Sequence, residues 1–133
     1  MHAAAAELLA AARRARDHAY APYSGYKVGA AVLTGAGEIV AGANVENAAF
    51  PLSICAERSA VAAAVAGGAR TFEAIAIVAD DGAATTPCGG CRQVLLEFGP
   101  ELVVIRENRP ETSLRELLPD PFDATHLRDR PRL

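Results

Sequence analysis

The sequence predicts a single α/β domain, and three observations lead to that prediction. The chain has 133 residues, which is the usual length of one domain. Apolar residues make up 51% of it and charged residues 22%, a composition typical of a folded protein. In the second half of the chain, helix-favouring runs alternate with short apolar runs, which favours parallel strands covered by helices. We expect one domain over 1–133, with its core at about 3–127 and a disordered tail at 128–133.

The first half of the chain predicts one helix followed by a hairpin. Residues 3–20 favour a helix, which ends before Pro22 because proline disfavours its continuation. Two candidate strands follow at Lys27–Thr34 and Glu38–Val45. The run Gly35-Ala36-Gly37 between them is typical of a hairpin turn.

The second half predicts the inner helices and strands. The dipeptides Gly67-Gly68 and Gly99-Pro100 follow two of the predicted helices and mark where those helices end. Thr86 and Pro87 suit the N-cap and the first position of the helix predicted at 87–98. We predict helices at 55–66, 87–98 and 113–118, and strands at 73–79 and 102–105.

Charge and hydropathy argue against two classes of partner. The net charge is −3, and the 12 Arg residues are spread along the chain rather than gathered in a stripe, so we expect no nucleic-acid partner. No apolar run approaches the roughly 20 residues of a membrane-spanning helix, so we expect no membrane partner. The Ala-rich start lacks the basic residues that precede the apolar part of a signal peptide, so we interpret it as a domain helix and expect a cytoplasmic protein.

Three cysteines, Cys55, Cys88 and Cys91, are the most informative residues. An odd number cannot pair off completely in disulfides. The C-x-x-C pair at 88–91 alone is typical of either a redox dithiol or half of a zinc site, and the third cysteine favours zinc. Each cysteine motif opens a predicted helix, whose free N–H groups stabilise a thiolate. Three protein ligands leave a fourth position for water, as in catalytic zinc sites, whereas His2, His18 and His126 are interpreted as surface residues.

Two charged residues follow Cys55 and have both a functional and a structural interpretation. Glu57 could take a proton from a metal-activated water and pass it on, or it could simply favour the helix N-terminus. Arg58 could donate hydrogen bonds to sulfur and offset the charge of three thiolates, or it could be an ordinary exposed residue. Because three candidate zinc ligands lie nearby, we favour the functional interpretation of both.

At this point the motifs resemble a known family. C-A-E-R at 55–58 and P-C-G-G-C-R-Q at 87–93 closely resemble the cytidine deaminases, in their small, homotetrameric, three-cysteine branch. Segments at 21–33, 44–47 and 116–122 are similar to further motifs of that family, so the resemblance spans about 17–126. It implies a three-layer α/β/α sandwich around a five-stranded mixed sheet, and a homotetramer with shared active sites.

The resemblance also implies a reaction and a set of site residues. The reaction is zinc-dependent hydrolytic deamination of cytidine and deoxycytidine to uridine and deoxyuridine with release of ammonia, a step of pyrimidine salvage. One Zn²⁺ per subunit would lie on Cys55, Cys88 and Cys91, and water activated by it would attack C4 of cytosine. Glu57 would protonate N3 and then help ammonia leave. The implied substrate contacts are Asn44 and Glu46 to the ribose hydroxyls, the Ala56 N–H to the pyrimidine carbonyl, Tyr26 against the base, and Phe122 in a neighbouring subunit's site.

Two departures from the family and three alternatives stand beside this hypothesis. Tyr26 occupies a position where the family usually has Phe, and Phe50 one where it usually has Tyr. We interpret both as exchanges between similar aromatics, which leave substrate preference and subunit contacts open. The alternatives are a blasticidin S-type aminonucleoside deaminase, a non-catalytic zinc-binding module, and a thiol oxidoreductase that uses Cys88 and Cys91. The intact N-V-E-N and P-Y-S segments favour an ordinary nucleoside substrate.

Overall fold

The predicted order of elements is found in the computed structural model, which describes residues 1–80 and 85–128. Strand β5 and two 3₁₀ turns, at Phe50–Leu52 and Ala124–Leu127, were not predicted. Part of the predicted loop at 80–86 and all of the predicted tail beyond Arg128 lie outside the described residues. The helices are α1 (Ala5–Arg16), α2 (Ala56–Ala66), α3 (Gly89–Leu96) and α4 (Leu114–Leu117), and the strands are β1 (Val28–Thr34), β2 (Ile39–Ala43), β3 (Phe72–Ala79), β4 (Val103–Arg106) and β5 (Thr112–Ser113).

The strands described form one mixed sheet of five, in the order β2-β1-β3-β4-β5. Strands β1 and β2 form the predicted antiparallel hairpin, and β3 also lies antiparallel to β1. Strands β3 and β4 are parallel, joined by the crossover helix α3, and β5 returns antiparallel to β4. The predicted α/β class, the parallel pair and the five-stranded mixed sheet are therefore confirmed.

Alternating side chains on the strands bury both faces of the sheet. On β1, Ala30 and Val32 pack with α2 and α3, whereas Ala31 and Leu33 pack with α1. This period of two is the normal alternation of a strand, and every position of β1 from Gly29 to Thr34 is buried because helices cover both faces. The result is a three-layer arrangement, with α1 on one side and α2, α3 and α4 on the other.

Two glycines let the helices lie directly on the hairpin. A Cβ atom on Gly29 would lie 1.9 Å from the carbonyl oxygen of Ala12 in α1. A Cβ atom on Gly42 would lie 2.3 Å from the backbone nitrogen of Ala60 in α2. Only glycine permits backbone approaches this close. These two contacts fix the height of α1 and α2 above the sheet.

The topology brings helix starts and strand ends together at one edge of the molecule. Helix α3 begins after the loop that leaves the carboxyl end of β3, and α2 begins beside it. A cavity at this edge is lined by Ile77 of β3 together with Cys55, Ala56 and Cys88. The carboxyl ends of parallel strands are the usual place for sites in α/β folds. None of the helices in the described ranges has the length and hydropathy needed to cross a membrane.

Candidate metal centre and active site

Two of the three cysteines are helix N-caps. Cys55 precedes α2 with extended backbone angles (φ −70°, ψ 154°), and Cys88 precedes α3 in the same way (φ −65°, ψ 167°). The Cys88 sulfur accepts a hydrogen bond from the backbone N–H of Cys91 at 3.4 Å. The prediction that Thr86 caps this helix and that Pro87 opens it is therefore wrong. Helix α3 starts two residues later than predicted, because the thiol itself serves as the cap.

The three sulfur atoms lie together. All are within 4.8 Å of one another, and all three thiols are free of disulfides. Zinc–sulfur bonds of about 2.3 Å place the sulfurs of one tetrahedral shell about 3.8 Å apart, so at most about 1 Å of contraction is needed. The donor set fits zinc, since three thiolates suit this ion and leave a fourth position open. None of the three histidines, all of which are described, belongs to the cluster.

The thiols differ in exposure and in acidity. Cys91 is fully buried, Cys55 is half-buried and Cys88 is exposed. Burial raises the pKa of Cys55 and of Cys91. Burial also opposes ionisation of Cys88, but hydrogen bonds from the Cys91 backbone and from the neighbouring thiols outweigh it, so the pKa of Cys88 lies below its ordinary value. Cys88 is thus the thiol most readily present as a thiolate in the metal-free cluster.

Two arginines hold the segment that leads into Cys88. Arg92 donates from Nε to the carbonyl oxygen of Pro87 at 2.8 Å and from Nη1 to the carbonyl oxygen of Leu117 at 2.7 Å. Arg92 and Arg106 both donate to the Thr86 hydroxyl oxygen, each at 3.3 Å. Arg106 is itself buried at the end of β4. The Thr86 side chain is therefore engaged by guanidinium groups rather than by the helix, which explains why it does not cap α3.

A buried carboxylate lies beside the sulfur cluster. Glu57, in the first turn of α2, is only 5% exposed. Burial raises the pKa of Glu57, and hydrogen bonds from its own backbone N–H and from the Cys91 thiol partly oppose that effect. A raised pKa moves the carboxyl group towards the pH range in which it can both take up and release a proton, as general acid–base catalysis requires. A glutamate that served only the helix dipole would lie in solvent, so burial favours the functional interpretation.

The cavity above this cluster has a volume of about 290 Å³ and collects most of the residues singled out from the sequence. Glu57 and two of the cysteines line it, and so does Ala56, the fully buried first residue of α2. The first N–H groups of a helix have no partner within the helix, and the cap of α2 supplies no side-chain acceptor. The lining also includes Tyr26, Asn44, Glu46, Ser24 and Thr86.

Two polar residues of the cavity are held by the loop before β1. Asn44 accepts from the Val28 N–H at 2.8 Å and donates to the Tyr26 carbonyl oxygen at 2.9 Å. Glu46 accepts from the backbone N–H groups of Tyr23 and Ser24 at 2.9 and 3.1 Å, and from the Ser24 hydroxyl. Ser24 was not singled out from the sequence. Its place in the segment at 21–33 was the signal that could have indicated it.

The comparisons with known proteins agree with this geometry. The family model for the cytidine and deoxycytidylate deaminase zinc-binding region matches residues 3–107. The chain belongs to the cytidine and deoxycytidylate deaminase family. A cytidine deaminase from Sporosarcina psychrophila is 42% identical over 126 residues, which cover 91% of this chain and 93% of that protein. The crystal structure of a cytidine deaminase from Burkholderia pseudomallei matches with a TM-score of 0.83 at 46% identity, covering 92% of this chain and 100% of that one.

A relative with a different name is also similar. The blasticidin-S deaminase of Bacillus cereus is 30% identical over 105 residues, which cover 71% of this chain and 75% of that protein. The Sporosarcina psychrophila cytidine deaminase shares more identical residues with the chain, over a longer stretch of 126 residues. Membership of the zinc-binding family, together with the clustered thiols, confirms zinc as the expected cofactor.

Three predicted site residues lie outside the lining of the cavity of this deaminase-family chain: Cys91, which is fully buried in the sulfur cluster, Arg58 and Phe122. Arg58 is exposed on the first turn of α2, and within 1–80 and 85–128 its guanidinium makes no hydrogen bond to a cysteine sulfur. Phe122 is 61% exposed, and its ring stacks on that of His126 with centroids 5.0 Å apart. The carbonyl oxygen of Phe122 accepts a hydrogen bond from the Gln93 side chain at 2.8 Å. The roles predicted for Arg58 and Phe122 stay predictions.

Proposed function

We propose that the chain catalyses the zinc-dependent hydrolytic deamination of cytidine and deoxycytidine to uridine and deoxyuridine, with release of ammonia. The observation that carries the proposal is the buried carboxylate of Glu57, next to three clustered thiols at the inner end of an open cavity. The cytidine deaminases among its relatives support the substrate class.

The thiolates of Cys55, Cys88 and Cys91 hold the zinc ion. When bound, zinc lowers the pKa of a coordinated water molecule and makes that water a nucleophile at neutral pH. With zinc bound, Glu57 would accept one proton of the attacking water and deliver it to N3 of the pyrimidine, so that C4 becomes electrophilic. Glu57 would then take the second proton of the added water from the oxygen on C4 and pass it to the amino group, which leaves as ammonia while C4 keeps the oxygen. One water and one cytidine are thereby converted to one uridine and one ammonia.

The remaining cavity residues orient the nucleoside. Asn44 retains one N–H donor and one acceptor site after its two loop contacts, and Glu46 retains acceptor capacity, so together they suit a diol. The free N–H of Ala56 at the start of α2 suits the pyrimidine carbonyl. Tyr26 packs against the base with its hydroxyl directed to solvent or to a partner. These contacts select a nucleoside over a free base.

We also propose a homotetramer in which each site is completed by neighbouring subunits. The support is an exposed apolar surface next to the cavity mouth, formed by Tyr23, Phe50, Leu52 and Ile54. Tyr23 and Phe50 contact each other edge to face at 5.8 Å, so this surface is continuous. Phe122 is a second exposed aromatic and reaches a neighbour's site. Arg58, which lies in solvent in the single chain, donates to the thiolates in the assembled enzyme.

The cell compartment follows from the same thiols. Three thiolate ligands persist without oxidation in a reducing compartment, so we propose that the enzyme is cytoplasmic and works in pyrimidine salvage.

One experiment tests the reaction and separates the alternatives. Purified protein is mixed with cytidine, and absorbance loss and ammonia are measured for the wild type and for Glu57→Gln. We expect turnover in the wild type, and a loss of at least about 10³-fold in Glu57→Gln with one zinc still bound. Full turnover in the variant contradicts the mechanism. Zinc without deamination of any pyrimidine nucleoside favours the binding module, and a Cys88–Cys91 disulfide without metal favours the oxidoreductase. Blasticidin S as the better substrate favours the aminonucleoside deaminase.

A further inference from the structure

The hydroxyl of Ser24 lies between two residues of the proposed nucleoside site. It donates to Glu46 Oε2 at 2.5 Å and accepts from the Tyr26 backbone N–H at 3.0 Å. Ser24 itself lines the cavity together with both of these residues. One side chain thus connects the carboxylate assigned to the sugar with the aromatic residue assigned to the base.

The direction of this hydrogen-bond chain is fixed. A backbone N–H can only donate, so the Ser24 oxygen acts as acceptor towards Tyr26 and its proton is free for the carboxylate. The chain therefore runs from Tyr26 N–H to the Ser24 hydroxyl to Glu46. Hydrogen bonds arranged in this way polarise one another, and those to a charged acceptor are the stronger kind.

The contacts also determine which acceptor site of Glu46 is left for a ligand. A carboxylate offers about four lone-pair sites, two on each oxygen. Oε1 is occupied by the N–H groups of Tyr23 and Ser24, whereas Oε2, among the residues that the structure describes, accepts only the Ser24 hydroxyl. The remaining site is therefore on Oε2, the oxygen whose position Ser24 controls.

The loop that carries Ser24 is itself anchored to the segment after β2 that carries Glu46. The Tyr20 N–H donates to the Asn44 carbonyl oxygen at 3.0 Å, and the Glu46 N–H donates to the Tyr20 carbonyl oxygen at 2.8 Å. Gly25 follows Ser24 with φ +69°, which turns the chain so that Tyr26 faces back towards the hydroxyl. The loop therefore stays anchored when the hydroxyl alone is removed.

We propose that Ser24 is a positioning residue for sugar recognition, which aims Oε2 of Glu46 at a hydroxyl of the bound nucleoside. This inference rests on the proposed function and deepens it. Hydrogen bonds from Ser24, the side chain foremost, also lower the pKa of Glu46, so the same contact keeps the acceptor ionised. Without the Ser24 hydroxyl, Glu46 can rotate and a water molecule can take the acceptor site.

The test compares two substrates that differ only in the sugar hydroxyls that Asn44 and Glu46 are proposed to bind. The values of kcat/KM for cytidine and for 2′,3′-dideoxycytidine are measured on the zinc-loaded enzyme with Ser24→Ala. We expect the preference for cytidine over the dideoxynucleoside to fall about tenfold, through KM, because a hydrogen bond to a charged group is lost. Turnover of the dideoxynucleoside should change less than twofold. The Ser24→Thr variant, which keeps a hydroxyl, should restore the preference.

Matched variants separate positioning from a structural role. Ser59→Ala removes a hydroxyl on α2 away from the cavity and should leave both substrates unaffected. Ser24→Ala on a Glu46→Gln background should cause no further loss, because residues acting through one contact are not additive. Equal losses on both substrates, no loss, or additive losses overturn the role of Ser24 alone. A wild-type enzyme that does not deaminate cytidine overturns the proposed function and this inference with it.

Discussion

Replacement of Gly42 by alanine should disrupt both the stability of the protein and its metal site. Gly42 lies on β2 beneath α2, and an added Cβ would lie 2.3 Å from the nitrogen of Ala60, 2.8 Å from its Cα and 2.9 Å from the carbonyl carbon of Ser59. All three atoms are backbone atoms, so no side chain can rotate away. Ordinary contact distances of about 3.5 Å require α2 to move by about 1 Å.

The expected cost follows from that displacement. Inserting a methyl group into packed structure typically costs about 1–3 kcal/mol, and the rigid backbone contacts place Gly42→Ala at the upper end of that range. The displaced helix carries Cys55 at its N-cap and Glu57 in its first turn. Zinc sites tolerate deviations of only about 0.2 Å in ligand distance, so a shift of this size should also weaken zinc binding.

Urea unfolding at fixed protein concentration and zinc release to a chromogenic chelator measure the two effects. We expect Gly42→Ala to lose about 2–3 kcal/mol in the free energy of unfolding and to release zinc faster than the wild type. Gly67→Ala is the matched control. It lies at the other end of α2 with φ −81°, and its added Cβ would meet backbone oxygens at an ordinary 3.5 Å. If Gly42→Ala unfolds at the wild-type urea concentration and keeps its zinc, α2 does not depend on this close approach.

Three further predictions concern the core, the metal and the sugar site. Leu8 on α1 is fully buried in the core cluster on the side of the sheet away from the site. Leu8→Ala should lower the free energy of unfolding in urea by about 2–5 kcal/mol and leave the zinc content unchanged. The matched variant Leu9→Ala, at a half-buried position, should cost less. Cys55→Ser places a residue that favours the N-cap at the start of α2 but removes a proposed zinc ligand. Metal analysis should find zinc lost, and the free energy of unfolding of the zinc-free protein should stay the same or rise. Retained zinc would contradict the three-sulfur site. Hydrogen bonds from Ser24 lower the pKa of Glu46, so its carboxylate stays charged as the pH falls towards 4.5, the ordinary pKa of a glutamate. The preference for cytidine over 2′,3′-dideoxycytidine should therefore stay constant between about pH 8 and pH 5. A preference that declines between pH 6 and pH 5 would show that Glu46 is not held in this way.

Local patterns were sufficient to predict the helices, the longer strands and the hairpin. Helix α2 ends where Gly67 follows it, and the strand predicted at 73–79 is found at Phe72–Ala79. These elements have the residue spacing and end signals that a single segment can supply. Strand β5 has only two residues, which is too short for any alternation to indicate it.

Contacts between distant segments limited the remaining predictions. Thr86 has the residue type of a helix cap, but its hydroxyl is engaged by Arg92 and by Arg106, and the second of these lies 20 residues away. The charge pattern around Glu57 could not distinguish a dipole contact from an acid–base group, whereas its burial favours the acid–base interpretation. The role predicted for Phe122 depends on a neighbouring subunit, which the pattern of one chain does not place, and the spacing of Arg58 from Cys55 does not indicate that its side chain is exposed.

Because cysteines form two of the helix N-caps, the amount of folded protein in the cell should depend on zinc. Cys55 and Cys88 precede two different helices and their sulfurs belong to the proposed zinc site, so one zinc ion would join the starts of α2 and α3. An ion that binds only the folded chain shifts the folding equilibrium in proportion to its free concentration. Zinc scarcity should therefore reduce the amount of the enzyme through unfolding and proteolysis, and not only its turnover. The level of the protein would then follow the level of the metal without any dedicated regulator.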